Sequence, residues 1–176
     1  MDIQEASDRL EIRNLIDEYA GALDDGSTDR LVGVFTEDAH FFVTQAGSDE
    51  SLMHYDGSSE IAEIMTLISP FGHTFHIMLN HQVKVSGDSA TCLTYCTANH
   101  LIGEPAQANL EMYLKYKDDL RRTPEGWKIS RRQVIRYWQE VHKLLDPSVE
   151  GALGEALQAE DLRPSLRQWA QLALTA

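Results

Sequence analysis

Apolar residues recur every three or four positions early in the chain and every second position later. Ile12, Leu15, Ile16, Tyr19 and Leu23 make one stripe at helical spacing, which predicts a helix over 3–25. Asp2 and Glu5 have capping-box separation at its start, and Gly26 is a natural stop. A second helix is expected over 28–36, with Leu31, Val34 and Phe35 inward, followed by a strand over 40–44. Residues 45–56 read as a polar, irregular loop. A third helix follows Gly57, capped by Ser58 or Ser59, with Ile61, Ile64, Met65 and Ile68 as its stripe, and Pro70-Phe71-Gly72 ends it.

The period then drops to two. Phe75, Ile77, Leu79, Val83 and Val85 alternate over 74–85, and Ser86-Gly87-Asp88 is a hairpin turn. A β-branched-rich strand is expected over 90–102. Ala108, Leu110, Met112, Leu114 and Tyr116 alternate in the next, Thr123-Pro124-Glu125-Gly126 turns the chain, and 127–138 alternates again. Helices followed by an antiparallel meander make the class α+β, with helices on one face of a curved sheet. After Asp146-Pro147 the chain becomes rich in Ala, Leu and Glu. A helix over 148–162, broken by Pro164, and a short helix carrying Leu166, Trp169, Ala170 and Ala173 are expected. The expected organisation is a domain over 1–146 and a helical extension over 147–176.

A length of 176 residues suits one domain, and 43% apolar with 24% charged residues excludes wholesale disorder and fibrous structure. Against 15 Lys and Arg stand 28 Asp and Glu, a net charge of −13. Such a chain is repelled by phosphate backbones and anionic bilayers, so neither nucleic acid nor membrane is an expected partner. No run approaches the ~18–20 apolar residues of a membrane span, and the N-terminus lacks the basic-then-apolar pattern of a signal peptide. Cys92 and Cys96 on one strand would lie about 13 Å apart at ~3.3 Å per residue, too far for a disulfide. A reduced, cytoplasmic protein is expected. Apolar residues on both faces of several strands, Phe75, Ile77 and Leu79 against Met78, and Leu93 and Tyr95 against Cys92 and Cys96, predict a homodimer or homotrimer.

The chain has no Gly-rich phosphate loop, no Gly-x-Ser-x-Gly and no His-Glu-x-x-His. His73 and His76 would point to opposite faces of a strand, so with His81 they make no metal cluster, and no metal is expected. Asp24 follows Ala20 and Ile16 down a flank of the helical stripe, whereas Asp25 follows Gly21 and Glu18. Asp24 is therefore placed at the core boundary and Asp25 in water. A carboxylate in the last turn faces the negative end of the helix dipole and needs a donating partner. Taken alone, Asp24 reads either as a solvated aspartate before the Gly26 stop or as an orienting carboxylate for a histidine. His76 lies opposite Phe75 and Ile77, with Thr74, Met78 and Asn80 on its own face; it is either an ordinary hydrogen-bonded histidine or a pocket residue. His100 shares a face with Cys92, Cys96 and Ala98, small residues that leave space. Arg132 and Arg136 share a face with Val134 and Trp138, at the surface or in a pocket.

The run Tyr19-Ala20-x-x-Leu23-Asp24-x-Gly26, then Leu31-x-x-x-Phe35-x-x-Asp38-Ala39, resembles the opening of SnoaL-like proteins of the nuclear transport factor 2-like superfamily. The resemblance continues through Gly57, Thr74-Phe75-His76-x-x-x-Asn80, Gly87-Asp88-x-Ala90 and Tyr116-x-Asp118-x-Leu120-x-Arg122-Thr123-x-x-Gly126-Trp127, and covers about 12–137. It implies a cone-shaped α+β domain. It also implies the Asp–His pair of scytalone dehydratase, the lindane dehydrochlorinase and bile-acid dehydratases, which falls on Asp24 and His76. Tyr19 matches a pocket tyrosine of the dehydratases, Arg132 a cavity position of the dehydrochlorinase, and Arg136 an arginine of the bile-acid dehydratases. The acidic residue those last enzymes carry on their second strand falls near Ala98, beside Asn99 and His100, so the same substrate is not implied.

The expected chemistry is cofactor-independent proton abstraction, leading to a dehydratase-like elimination, an isomerisation or an aldol cyclisation, so a lyase, isomerase or cyclase. His76 acts as general base, Asp24 orients it, and Tyr19, His100 or an arginine donates to developing negative charge on a hydrophobic polyketide, terpenoid, steroid or aromatic substrate. The rival expectations on the same fold are a non-catalytic ligand-binding or assembly module and the structural β subunit of a ring-hydroxylating dioxygenase.

Overall fold

The computed structural model describes residues 2–103 and 107–144. The helical extension expected over 147–176 lies outside them. Helix α1 (Ile3–Asp24) starts on Asp2, whose side chain accepts the Glu5 N–H at 2.8 Å. Only half of the capping box forms, because the Glu5 carboxylate binds Arg9 instead. Ile12, Ile16, Tyr19 and Leu23 are buried along one face. The helix ends where Gly26 takes φ +65°, a conformation glycine adopts without penalty.

Helix α2 (Thr28–Gly33) is shorter than its sequence spacing suggests, and Phe35, expected at its end, opens strand β1 (Phe35–Gln45). The strand reaches back to Phe35 because Phe35 pairs with Ile129 of a neighbouring strand. The stretch read as irregular holds strand β2 (Ser51–Asp56), antiparallel to β1 with His40 opposite Asp56 and Phe42 opposite His54. Its alternation is real but weak: Met53 and Tyr55 turn inward, and three of its six residues are exposed polar ones. The expected third helix is two short ones, α3 (Ser58–Ile61) and α4 (Ile64–Ile68), separated at Ala62 and Glu63. Gly57 before them has φ +83°, and a Cβ there would stand 3.2 Å from the Glu37 carbonyl oxygen.

Strands β3 (Thr74–Ser86), β4 (Ser89–Ile102), β5 (Ala108–Thr123) and β6 (Gly126–Lys143) complete a six-stranded sheet of order β2-β1-β6-β5-β4-β3. The β1–β6 pair is parallel; β1–β2, β3–β4 and β4–β5 are antiparallel. The architecture is a helix-covered curved sheet, α+β. One strand departs from simple alternation. At Asn80, φ +50°, the β3–β4 register slips between Leu79 and Gln82. The extra residue reverses the alternation. Phe75, Ile77 and Leu79 are 64%, 39% and 45% exposed on the outer face, whereas Val83 and Val85 pack on the core. The five residues that alternate in sequence therefore do not share a face.

Cys92 and Cys96 are free thiols buried on the inner face of β4, in register with Ala98 and His100.

Candidate active site

Helix α1 and strand β3 meet where one ends and the other begins, and that junction brings Asp24 to His76. Asp24 Oδ1 stands 2.7 Å from His76 Nδ1 and also accepts the Thr74 hydroxyl at 2.9 Å. Its Oδ2 accepts the His76 backbone N–H at 2.9 Å. Three donors thus compensate a carboxylate set at the unfavourable end of a helix dipole. Burial alone would raise the Asp24 carboxyl, but the hydrogen bonds from the His76 ring and backbone and from Thr74 outweigh it and hold it below the usual carboxylate range. The carboxylate accepts, so His76 carries its proton on Nδ1 and Nε2 is the nitrogen left for a ligand. The His76 side chain is 4% exposed. Asp25 points the other way: its side chain is 66% exposed and pairs with Arg30, which also grips Glu18.

His76 lines a cavity of about 220 Å³ whose walls come from α1, α4 and the inner faces of β1, β2, β4, β5 and β6. Ala98 stands opposite His76 in the ladder, and its small side chain leaves room. The walls are mostly apolar, with Phe41, Met53, Tyr55, Ile64, Phe71 and Leu114 among them. Tyr19, His100 and Arg136 supply polar groups at this wall. Burial pushes the Tyr19 phenol up to about 12, against the charge of Arg132, so it stays a neutral donor. Arg136 is tied by its Nε to Gln45 Oε1 at 3.1 Å, and its other N–H groups have no side-chain partner among the described residues.

His100 lies edge-on to His76, ring centroids 5.5 Å apart, and its Nδ1 donates to the Leu110 carbonyl at 3.4 Å. Burial and then the nearby His76 hold it below its usual range, so the ring is neutral with Nε2 unprotonated. In that state its Nε2 is free to accept a hydrogen bond from a ligand hydroxyl.

Arg132 stands behind the wall, not in it. Its Nε and Nη2 bind the two oxygens of Asp118 at 2.7 and 2.8 Å, both side chains are fully buried, and its guanidinium lies 4.0 Å from the centroid of the Tyr19 ring. Burial would lower Arg132, but the Asp118 carboxylate outweighs it and keeps the guanidinium charged. The pair props Tyr19 and Tyr116 from beneath. Asp118 was legible in part: it continues the inward series Leu114, Tyr116, Leu120 at period two, a charge in a buried register that demands a partner. The wall residues of β2, Met53 and Tyr55, carry only a weak signal, because they alternate within a half-polar stretch.

The SnoaL-like domain model matches residues 4–133. The chain belongs to the SnoaL-like family. Uncharacterised proteins of Mycobacterium tuberculosis and Mycobacterium bovis are 32% identical to this SnoaL-like chain over 143 residues, 80% of it and 93% of each relative. Among solved structures, a Novosphingobium aromaticivorans protein provisionally assigned as an aromatic ring hydroxylase is 30% identical, with a TM-score of 0.67, covering 80% of this chain and 96% of the other. A hexachlorocyclohexane dehydrochlorinase of type 2 (18% identical, TM-score 0.68, 82% and 94% covered) has the same fold. So does a protein of Novosphingobium aromaticivorans provisionally assigned as scytalone dehydratase (20% identical, TM-score 0.69, 82% and 94% covered). The fold is thus nuclear transport factor 2-like, and its neighbours include proteins named as dehydratase and dehydrochlorinase. Among the described residues, no helix is long and apolar enough to cross a membrane.

Proposed function

We propose that this SnoaL-like protein is a cofactor-independent lyase or isomerase that removes a proton from a hydrophobic small molecule. The observation that carries this reading is the Asp24–His76 hydrogen bond of 2.7 Å at the wall of an apolar cavity. His76 Nε2 takes the proton from a carbon next to a carbonyl, and the C–H electron pair moves onto the carbonyl oxygen. The Tyr19 hydroxyl and an Arg136 N–H stabilise that enolate. Asp24 stabilises the imidazolium. In an elimination the enolate expels a β-hydroxyl, which leaves as water with the proton returned by His76; in an isomerisation the same proton returns to a different carbon. A cavity of about 220 Å³ is smaller than the ~300–1,000 Å³ of pockets for drug-sized ligands, which favours one- or two-ring aromatic, polyketide or terpenoid substrates over a steroid. Homo-oligomerisation through the outer face of the sheet, in a cytoplasmic protein, completes the proposal.

The test is a panel of one- and two-ring β-hydroxy ketones and β,γ-unsaturated ketones incubated with wild-type protein and His76→Ala, with products followed by NMR. At least one compound should turn over in the wild type and not in the variant.

A second reading is favoured by the 30% identical neighbour's provisional name: a structural subunit of an aromatic-ring-hydroxylating assembly. That reading expects a larger iron-containing protein to co-purify and the panel to be returned unchanged. It gives no reason for a carboxylate to orient a histidine at a cavity wall.

A further inference from the structure

The outer face of the β1–β2 hairpin carries a side-chain cluster unrelated to the cavity. His40 pairs with Asp56 across the ladder, and His54, two residues before Asp56, projects on the same side. His40 Nδ1 lies 2.5 Å from Asp56 Oδ1, and His54 Nε2 lies 3.0 Å from the same oxygen. One donor atom from each residue falls within 4.8 Å of the others. We propose that His40, His54 and Asp56 form a site for a divalent transition metal of the Zn²⁺ class, with water in its remaining positions.

The geometry suits such an ion. Bonds of ~2.0–2.1 Å in a tetrahedral site set ligand atoms ~3.3 Å apart, so the three groups need only a small opening to admit it. Two imidazoles and one carboxylate select Zn²⁺, Cu²⁺ or Ni²⁺ over Mg²⁺ and Ca²⁺, which prefer all-oxygen shells. Two ring nitrogens converge on one carboxylate oxygen, so a single ion placed among them reaches all three groups. The cluster is braced as well. His54 packs edge-on against Phe42 at 6.4 Å, and the Asp56 backbone N–H donates to Glu60 Oε2 at 2.9 Å.

All three side chains are more than half exposed, at 58%, 54% and 56%, so the ion has an open path and vacant positions for water. The local opposing charge is Arg131, which faces His40 across the β1–β6 ladder. Its guanidinium sits 4.6 Å over the Phe42 ring and 3.5 Å from Asp119, which offsets it. A net charge of −13 draws cations to the chain as a whole. Bound here, an ion would staple an edge hairpin whose other face supplies Phe41, Val43, Met53 and Tyr55 to the cavity wall.

The test is titration of the metal-free full chain with Zn²⁺ against a chromophoric chelator, beside a thermal melt with and without Zn²⁺. The expected result is one Zn²⁺ per chain and a raised Tm. His40→Ala, His54→Ala and Asp56→Asn should each weaken binding by at least the roughly 10–100-fold that loss of an outer-shell partner costs. Each should also abolish the Tm rise, while His142→Ala, on β6, binds as the wild type. Exposure of the three side chains keeps these variants folded. Absence of stoichiometric Zn²⁺ binding, or binding that persists in His54→Ala and Asp56→Asn, would overturn the proposal.

Discussion

Asp24 holds His76 at two points, its Oδ1 2.7 Å from the ring Nδ1 and its Oδ2 2.9 Å from the backbone N–H. The two contacts fix both the tautomer of the ring and the start of the strand that carries it. Asp24→Asn keeps the shape but loses the charge that stabilises an imidazolium, so kcat/KM should fall on the order of 10²–10⁴-fold. Asp25→Asn should leave it nearly unchanged, because Asp25 is exposed and pairs only with Arg30 among the described residues. Steady-state kinetics of the two variants, on whichever compound turns over, compares neighbours differing only in direction.

Arg132 and Asp118 are both fully buried, so removing one strands the other. Asp118→Ala should cost about 3–5 kcal/mol in urea unfolding, whereas the double replacement Asp118→Leu with Arg132→Met should recover most of it. A double variant as unstable as the single one would mean that the loss is one of packing.

Stability should fall with acid in two windows. Burial, its largest cause in each, holds His100 and His81 below the ordinary 6.5; the unfolded chain then binds more protons and stability drops as pH falls from about 6.5 toward the lowered folded values. Asp24, held below the ordinary 3.8 by bonds to His76 and Thr74 that outweigh burial, contributes stability above that value and loses it as pH falls further. Urea unfolding across pH should show both slopes, and His100→Gln should flatten the first.

How much of this was legible depended on how local the signal was. Asp2, the stripe from Ile12 to Leu23 and Gly26 define α1 within a few residues of sequence, so the helix and the inward direction of Asp24 could be read directly. The face of His76 could also be read, because it precedes the bulge at Asn80. Beyond the bulge the count fails: Val83 and Val85 keep the spacing of Phe75 and Ile77 but point the other way. Strand β2 was hidden because Met53 and Tyr55 alternate with Leu52, His54 and Asp56 in a half-polar stretch whose pairing to β1 is a tertiary fact. With β2 went one side of the cavity and the His40–His54–Asp56 cluster.

The outer sheet face should bury itself against another copy. Phe75, Leu79 and Trp138 are 64%, 45% and 52% exposed, and the Lys115 ammonium lies between the Tyr95 and Tyr137 rings at 4.4 and 4.7 Å. Light scattering at micromolar concentration should give two or three times the mass of one chain, and Leu79→Glu should reduce it. A wild-type mass of one chain would contradict this.

The tautomer of His76 tests the central claim most directly, and it needs no substrate. Long-range ¹H–¹⁵N correlation at alkaline pH, with His76→Ala to assign the resonance, should show a protonated Nδ1 and a bare Nε2 in the wild type. That preference should weaken in Asp24→Asn. A wild-type ring protonated on Nε2, or one whose tautomer ignores Asp24, would contradict the account of His76 as an oriented base facing the cavity.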